Sequence, residues 1–264
     1  MDLNLKDKAA LVMAASKGLG AATARVFAEE GARVMISARN HTEVQATAQR
    51  IAAATGAQIV GMQSDANDAQ HIAALVAAAQ AQFGRLDCLV VNAGGPPPGQ
   101  FADFDDAAWQ SAINLTLLSA VRAARAAIPI MQAQNPLGGS ITFIQSASIK
   151  NPIDNLLLSN SLRMAVAGMA KTLSREVAGD GIRVNVICPG ATQTERLEGN
   201  AKANATRNGT TLAEELRKSG ASIPLGRIAQ PDEFARACVF LASPAASFIN
   251  GIALMVDGGA SRAM

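Results

Sequence analysis

Short apolar runs alternate with longer periodic stretches along the whole chain, and few folds accept that rhythm. The runs fall at residues 9–13, 33–37, 58–63, 88–92, 140–145, 183–187 and 252–256. Between them lie stretches with helical spacing, such as GAATARVFAEEG, HTEVQATAQRIAAATG, AQHIAALVAAAQAQFG and PDEFARACVFLAS. Strands that alternate with helices imply a parallel sheet covered on both faces. The runs are apolar on both sides, as a sheet sandwiched between two helical layers requires. No Pro/Ser-rich linker and no internal repeat interrupts the pattern. The expectation is therefore one doubly wound α/β domain over residues 1–264, with seven parallel strands. The irregular stretch is 192–224, polar and with a short helical segment near TLAEELRKSG. Insertions of this length usually form lids or binding loops.

Bulk properties narrow the function. A net charge of +2 and 3% aromatic residues argue against a nucleic-acid or anionic-membrane partner. The amino terminus lacks a basic-then-apolar leader, and no continuous apolar run approaches the roughly 18 residues of a membrane span. Cys88, Cys188 and Cys238 are scattered among apolar neighbours, which implies buried, reduced thiols and a cytoplasmic setting. His41 and His71 lie in polar helical context without a Cys or carboxylate cluster. Surface positions are expected for both, rather than a metal site or a Ser-His-Asp hydrolase.

The first run leads through AASKGLG into a helix. Glycines there let the backbone approach a pyrophosphate, whose charge the helix amino terminus favours. Ser16, Lys17, Gly18, Leu19 and Gly20 are the candidates for that contact. The second run ends ISARN. An acidic residue there would take the ribose hydroxyls of NAD. Ser37 and Arg39 stand in its place, with Lys17 nearby, and two cations and a hydroxyl suit a 2′-phosphate. NADP(H) is the expected cofactor.

These features and the stretch from 140 to 190 resemble the short-chain dehydrogenase/reductase family, including its 3-oxoacyl-[acyl-carrier-protein] reductase-like members. The resemblance runs from residue 13 to 259. Gly18 and Gly20 fit the Thr-Gly-x-x-x-Gly-x-Gly turn, although Met13 and Ala14 replace its first two residues. Asp65 corresponds to the aspartate at adenine. Asn92, Ala93 and Gly94 correspond to the Asn-Ala-Gly turn, and Pro189, Gly190 and Thr194 to the segment that orients the nicotinamide. Residues 256–259 match the terminal signature.

The resemblance also implies a catalytic set, and here the chain departs from it. The family places a tyrosine thirteen residues after a strand-end serine and a lysine four beyond that. Ser146 matches the serine, and Asn114 matches a helix asparagine on the proton path. Ser159 and Arg163 occupy the tyrosine and lysine positions, and the chain has no tyrosine at all. A serine is far less acidic than a phenol of pKa about 10. Losing a tuned proton donor costs roughly 10²–10⁴ in rate. Arg163 can still hydrogen-bond the nicotinamide ribose but keeps its own proton. Lys150, in SASIKNP, is the candidate substitute donor if burial lowers its pKa; Ser148 is a further oxygen ligand, and Asp154 a possible ion-pair partner for Lys150.

Three readings stay open. The first is an NADP(H)-dependent oxidoreductase acting on a small carbonyl or alcohol, with a rearranged acid/base group. The others are an NADP(H)-binding protein without catalysis and a non-redox lyase or isomerase on the same frame. The small residues Ala165, Ala167, Gly168 and Ala170 lie on the helix that, in the family, packs against its copy in another subunit. The resemblance thus implies a homodimer or homotetramer.

Overall fold

The computed structural model describes residues 1–262. Seven strands form one parallel sheet: β1 (Ala9–Val12), β2 (Arg33–Ala38), β3 (Ile59–Gln63), β4 (Cys88–Val91), β5 (Gly139–Ile144), β6 (Ile182–Pro189) and β7 (Ala253–Val256). Their order is β3-β2-β1-β4-β5-β6-β7. Chain direction across the sheet reverses between β1 and β4, and ligands in such sheets bind beyond the carboxyl ends at that crevice. Every expected strand is present, with ends displaced by a residue or two.

Alternation along each strand builds two cores. Ala9, Leu11, Leu89, Val91, Ile141 and Phe143 face one layer, which is made by α3 (Ala69–Phe83), α5 (Ser119–Ala133) and α6 (Leu157–Glu176). Ala10, Val12, Val34, Ile36, Cys88 and Val90 face the other, made by α1 (Gly18–Glu29), α2 (His41–Thr55) and α9 (Pro231–Ala242). Phe143 and Phe27 are fully buried, one in each core. Truncating either to alanine costs about 3–5 kcal/mol, from lost transfer energy and the cavity left behind. Local chemistry sets the helix ends. Asn40 and Asp68 cap α2 and α3 with side-chain oxygens, and Gly56 and Gly84 end them in the left-handed conformation.

One expectation needs correction, and one element was not anticipated. The insertion is more ordered than its polarity suggests: it carries α7 (Glu195–Asn208) as well as α8 (Leu212–Ala221). Only Ala201 and Ala205 of α7 are buried, so its sequence shows almost no apolar stripe. A parallel bridge between Thr192 and Ala229 joins the two roots of the insertion. Secondly, α4 (Asp106–Ala112), a π-helical segment (Ile113–Leu118) and α5 make one helical run of 28 residues. By length and hydropathy alone that run could span a membrane. Arg122 and Arg125 interrupt it, and its Ala120, Ala123, Ala124, Ala127 and Met131 belong to the sheet-facing core.

Candidate active site

The glycine-rich turn leaves β1 and enters α1 at the crevice. Gly18 adopts φ +59°, and a Cβ on Gly20 would stand 2.6 Å from the Ala14 carbonyl oxygen. Gly20 is therefore required for the turn to close. Ala14 also sits in the left-handed region, at φ +48°, where glycine is the ordinary occupant. Lys17 is the residue before α1, but its side chain caps nothing, and the first turn of α1 holds no acid. The leading amides thus face the crevice without a protein acceptor on that helix, which fits a dinucleotide pyrophosphate. Asn92 steadies the turn from the neighbouring strand, since its Nδ2 donates to the Ala14 carbonyl at 3.0 Å.

The remaining dinucleotide candidates line the same edge. Ser37 is buried at the end of β2, and Arg39 is exposed just beyond it. Lys17 is held by Glu195 of α7, with Nζ 2.6 Å from the carboxylate. Asp65 spends one oxygen on a turn, accepting from the Asn67 backbone N–H at 2.9 Å. Ala93 and Gly94 follow Asn92 out of the sheet. At the end of β6, a Cβ on Gly190 would lie 2.7 Å from Asp257, so glycine is needed where the two segments pass. Thr194 caps α7, accepting from the Leu197 N–H at 3.3 Å, and its methyl faces Gly18. Ser16 accepts a hydrogen bond at its carbonyl from Thr47 Oγ1, and Leu19 packs partly buried in the second core.

Catalytic candidates converge where β5 ends. The Ser146 hydroxyl accepts from the Ser148 N–H at 3.1 Å. Ser159 and Arg163 are one turn apart on α6. Arg163 Nε donates to Ser159 Oγ at 3.0 Å, and Nη1 donates to the Gln145 and Ile144 carbonyls at 3.1 and 3.4 Å. Arg163 therefore ties α6 to the strand end beside Ser146. The residue keeps partial exposure, but its guanidinium is enclosed. Burial pushes its pKa down to about 10, with a further push from Arg196. Asn114 lies in the π-helical segment, where Arg122 Nη2 reaches its Oδ1 at 3.5 Å. Such segments recur at functional sites because they widen the helix. Lys150 is exposed, so the burial that a lysine donor requires is absent.

One cation in this edge escaped the sequence reading. Arg196, at the start of α7, spans the cleft to the loop after β4. Its Nη1 and Nη2 donate to the Gly95 and Pro96 carbonyls at 3.4 and 3.2 Å. A Cβ on Gly95 would run into that guanidinium, so the glycine makes the seat. The available signal was a cation two residues past Thr194, facing a second glycine after Asn-Ala-Gly. His41 and His71 are exposed, and the described residues contain no metal-type cluster.

Comparison with known proteins agrees with this fold. Residues 13–261 match a family described as "Enoyl-(Acyl carrier protein) reductase". The chain is 34% identical to cis-4-hydroxycyclohexanecarboxylate dehydrogenase of Sinomonas cyclohexanicum, covering 96% of both chains. It is 35% identical to D-threitol dehydrogenase of Mycolicibacterium smegmatis, covering 98% of this chain and 94% of the other. The crystal structure of L-sorbose reductase from Gluconobacter frateurii, complexed with NADPH and L-sorbose, superposes with a TM-score of 0.94 at 32% identity and full coverage of both chains. A doubly wound domain with its polar constellation at the β1/β4 crevice defines a dinucleotide-fold protein. More narrowly, the chain belongs to the short-chain dehydrogenase/reductase family of oxidoreductases.

Proposed function

We propose that the protein is an NADP(H)-dependent oxidoreductase that interconverts a carbonyl and an alcohol, using a serine–arginine pair where the family uses tyrosine and lysine. The observation that carries this reading is the 3.0 Å hydrogen bond from Arg163 Nε to Ser159 Oγ, beside Ser146. Bound NADP(H) supplies or accepts the hydride at the carbonyl carbon. Ser146 and Ser159 offer hydroxyl protons to the carbonyl oxygen. Because Ser159 accepts from Arg163, its own proton is left to donate to the substrate oxygen. Negative charge that grows on the substrate oxygen during reduction is stabilised by Arg163 through that hydroxyl. The proton that completes the alcohol comes from water, with Asn114 on its path; exposed Lys150 lacks the desolvation the donor role needs. Arg163 Nη2 is the edge left for the nicotinamide ribose.

Exposed Arg39, buried Ser37 and Lys17 support the phosphorylated coenzyme, as does the NADPH of the sorbose reductase complex. The named relatives range over a sugar, a polyol and a cyclic hydroxy acid, so the fold class alone leaves the substrate wide. Exposed Met164, Ala165 and Gly168 on α6 support a homodimer or homotetramer through that face. Three unpaired, buried thiols support a reducing, cytoplasmic setting.

Calorimetry with NADPH, then transfer of deuterium from one face of labelled NADPH to a carbonyl panel, tests the reading. Stereospecific transfer is expected. Failure of both coenzyme forms to bind overturns it, and tight binding with no transfer points to a non-catalytic role.

A further inference from the structure

We infer that Glu43 is a coenzyme-selecting residue: its carboxylate, carried on α2, competes with the coenzyme 2′-phosphate for Lys17 and Ser16, and so narrows the preference for NADPH over NADH. This rests on the NADP(H) reading above and deepens it.

The argument begins with an unfinished helix cap. Asn40 caps α2, and its side-chain oxygen accepts from the Glu43 N–H at 3.1 Å. An acid at that position ordinarily returns the bond, accepting from the backbone N–H of the cap residue. Two helices of this chain do so. Glu214 accepts from the Thr211 N–H in α8, and Glu233 from the Gln230 N–H in α9, both at 2.8 Å. In α2 the return bond is absent, and the Glu43 carboxylate is turned to the glycine-rich turn, where Oε2 accepts from the Ser16 hydroxyl at 3.5 Å. At that length the bond is weak, and what counts is where the charge stands.

The fold sets that position. Thr47 lies one helical turn beyond Glu43, on the same face of α2. Its buried hydroxyl donates to the Ser16 carbonyl at 2.7 Å. This bond docks α2 on the turn and keeps Glu43 beside Ser16 and Lys17. The Lys17 pKa is raised chiefly by its hydrogen bond with Glu195, and the charge of Glu43 adds a smaller push.

Charge decides what this does to a ligand. Lys17 and Arg39 are the cations offered to a 2′-phosphate, and both are exposed. Glu195 and Glu43 are the acids that act on Lys17. The acids offset the cations, so a phosphate meets little net attraction there. Glu195 sits on the insertion, whereas Glu43 is tied to the turn itself through Thr47 and stays beside the phosphate. A ribose 2′-hydroxyl carries no charge, so NADH does not meet the same opposition. The pyrophosphate is common to both coenzymes and cancels from any difference between them.

Glu43→Gln keeps the length of the side chain and removes its charge, at an exposed position where folding is not at stake. NADPH and NADH are titrated calorimetrically into wild type and the variant, at low salt and at about 0.5 M salt. At low salt the variant is expected to bind NADPH roughly three- to tenfold tighter, with NADH within about twofold of wild type. The NADPH gain is expected to shrink by about half or more at high salt, as a Coulombic effect at an exposed site does. Unchanged NADPH affinity overturns the inference, and so does a gain that salt leaves intact. An equal gain for both coenzymes also overturns it, because Glu43 then acts on the shared pyrophosphate. Weaker NADH binding by the variant overturns it as well, since the carboxylate is then a ribose acceptor. Each of these leaves the oxidoreductase reading standing. Wild type that binds neither coenzyme overturns that reading and the inference together.

Discussion

Lys17 Nζ, on the glycine-rich turn, lies 2.6 Å from the Glu195 carboxylate at the start of α7. The next residue, Arg196, reaches the opposite wall of the cleft. Consecutive side chains of the insertion thus grip both sides of the coenzyme crevice. The Glu195 hydrogen bond raises the Lys17 pKa, so the ammonium is charged, but its charge is spent on the insertion. Glu195→Gln is expected to free it for a 2′-phosphate. NADPH should bind about two- to fivefold tighter, and NADH should be unchanged, by calorimetry at low salt. Equal gains for both coenzymes would remove Lys17 from phosphate recognition.

On the proposed mechanism, the Arg163 charge sets the alkaline limit of the reaction. Its folded pKa falls to about 10, well below the ordinary arginine value. The charge that stabilises the substrate oxygen is therefore lost as pH rises through about 10, and kcat should fall there. Stability responds with the opposite sign. Above about 10 and below the ordinary arginine value, the unfolded chain holds a proton that the folded chain has released, so this group makes unfolding harder as pH rises. A rate flat to pH 11 would count against a role for the charge. Ser159→Ala removes the intervening hydroxyl, and kcat should drop roughly 10- to 100-fold with coenzyme affinity retained.

Ala14→Gly should help both fold and ligand. A left-handed alanine costs roughly 1–2 kcal/mol, and the added chain entropy of glycine returns about 0.5–1 of that. Thermal denaturation should show Tm about 1–3 °C higher. NADPH affinity should rise several-fold as the methyl leaves the tightest part of the turn. Weaker binding in this variant would mean the coenzyme avoids the turn.

Lys150→Met addresses the proton. With water as the source, NADPH oxidation on an accepted substrate should stay within about threefold of wild type. A loss of a hundredfold or more would return the donor role to that lysine.

Strands were legible because a sheet buried on both faces writes continuous apolar runs such as 140–145, and their ends drifted by a residue or two at both polar positions such as Asn92 and apolar ones such as Met13 and Ile252. Helix α7 was not legible, because Ala201 and Ala205 are its only buried positions. Ser146, Ser159 and Arg163 could be placed by spacing, and they do meet at one strand end. Their hydrogen bonds could not be read, since they depend on how α6 leans on β5. Arg196 was invisible for a related reason: its partners are backbone carbonyls 100 residues and more away, which leave no complementary side chain in the sequence.

The bridge between Thr192 and Ala229 holds the two roots of the insertion side by side. On the lid reading, a flap rooted in this way opens by pivoting about that pair, against the Lys17–Glu195 and Arg196 contacts beside it. Entry and exit then share one hinge, and turnover gated there should slow in proportion to solvent viscosity.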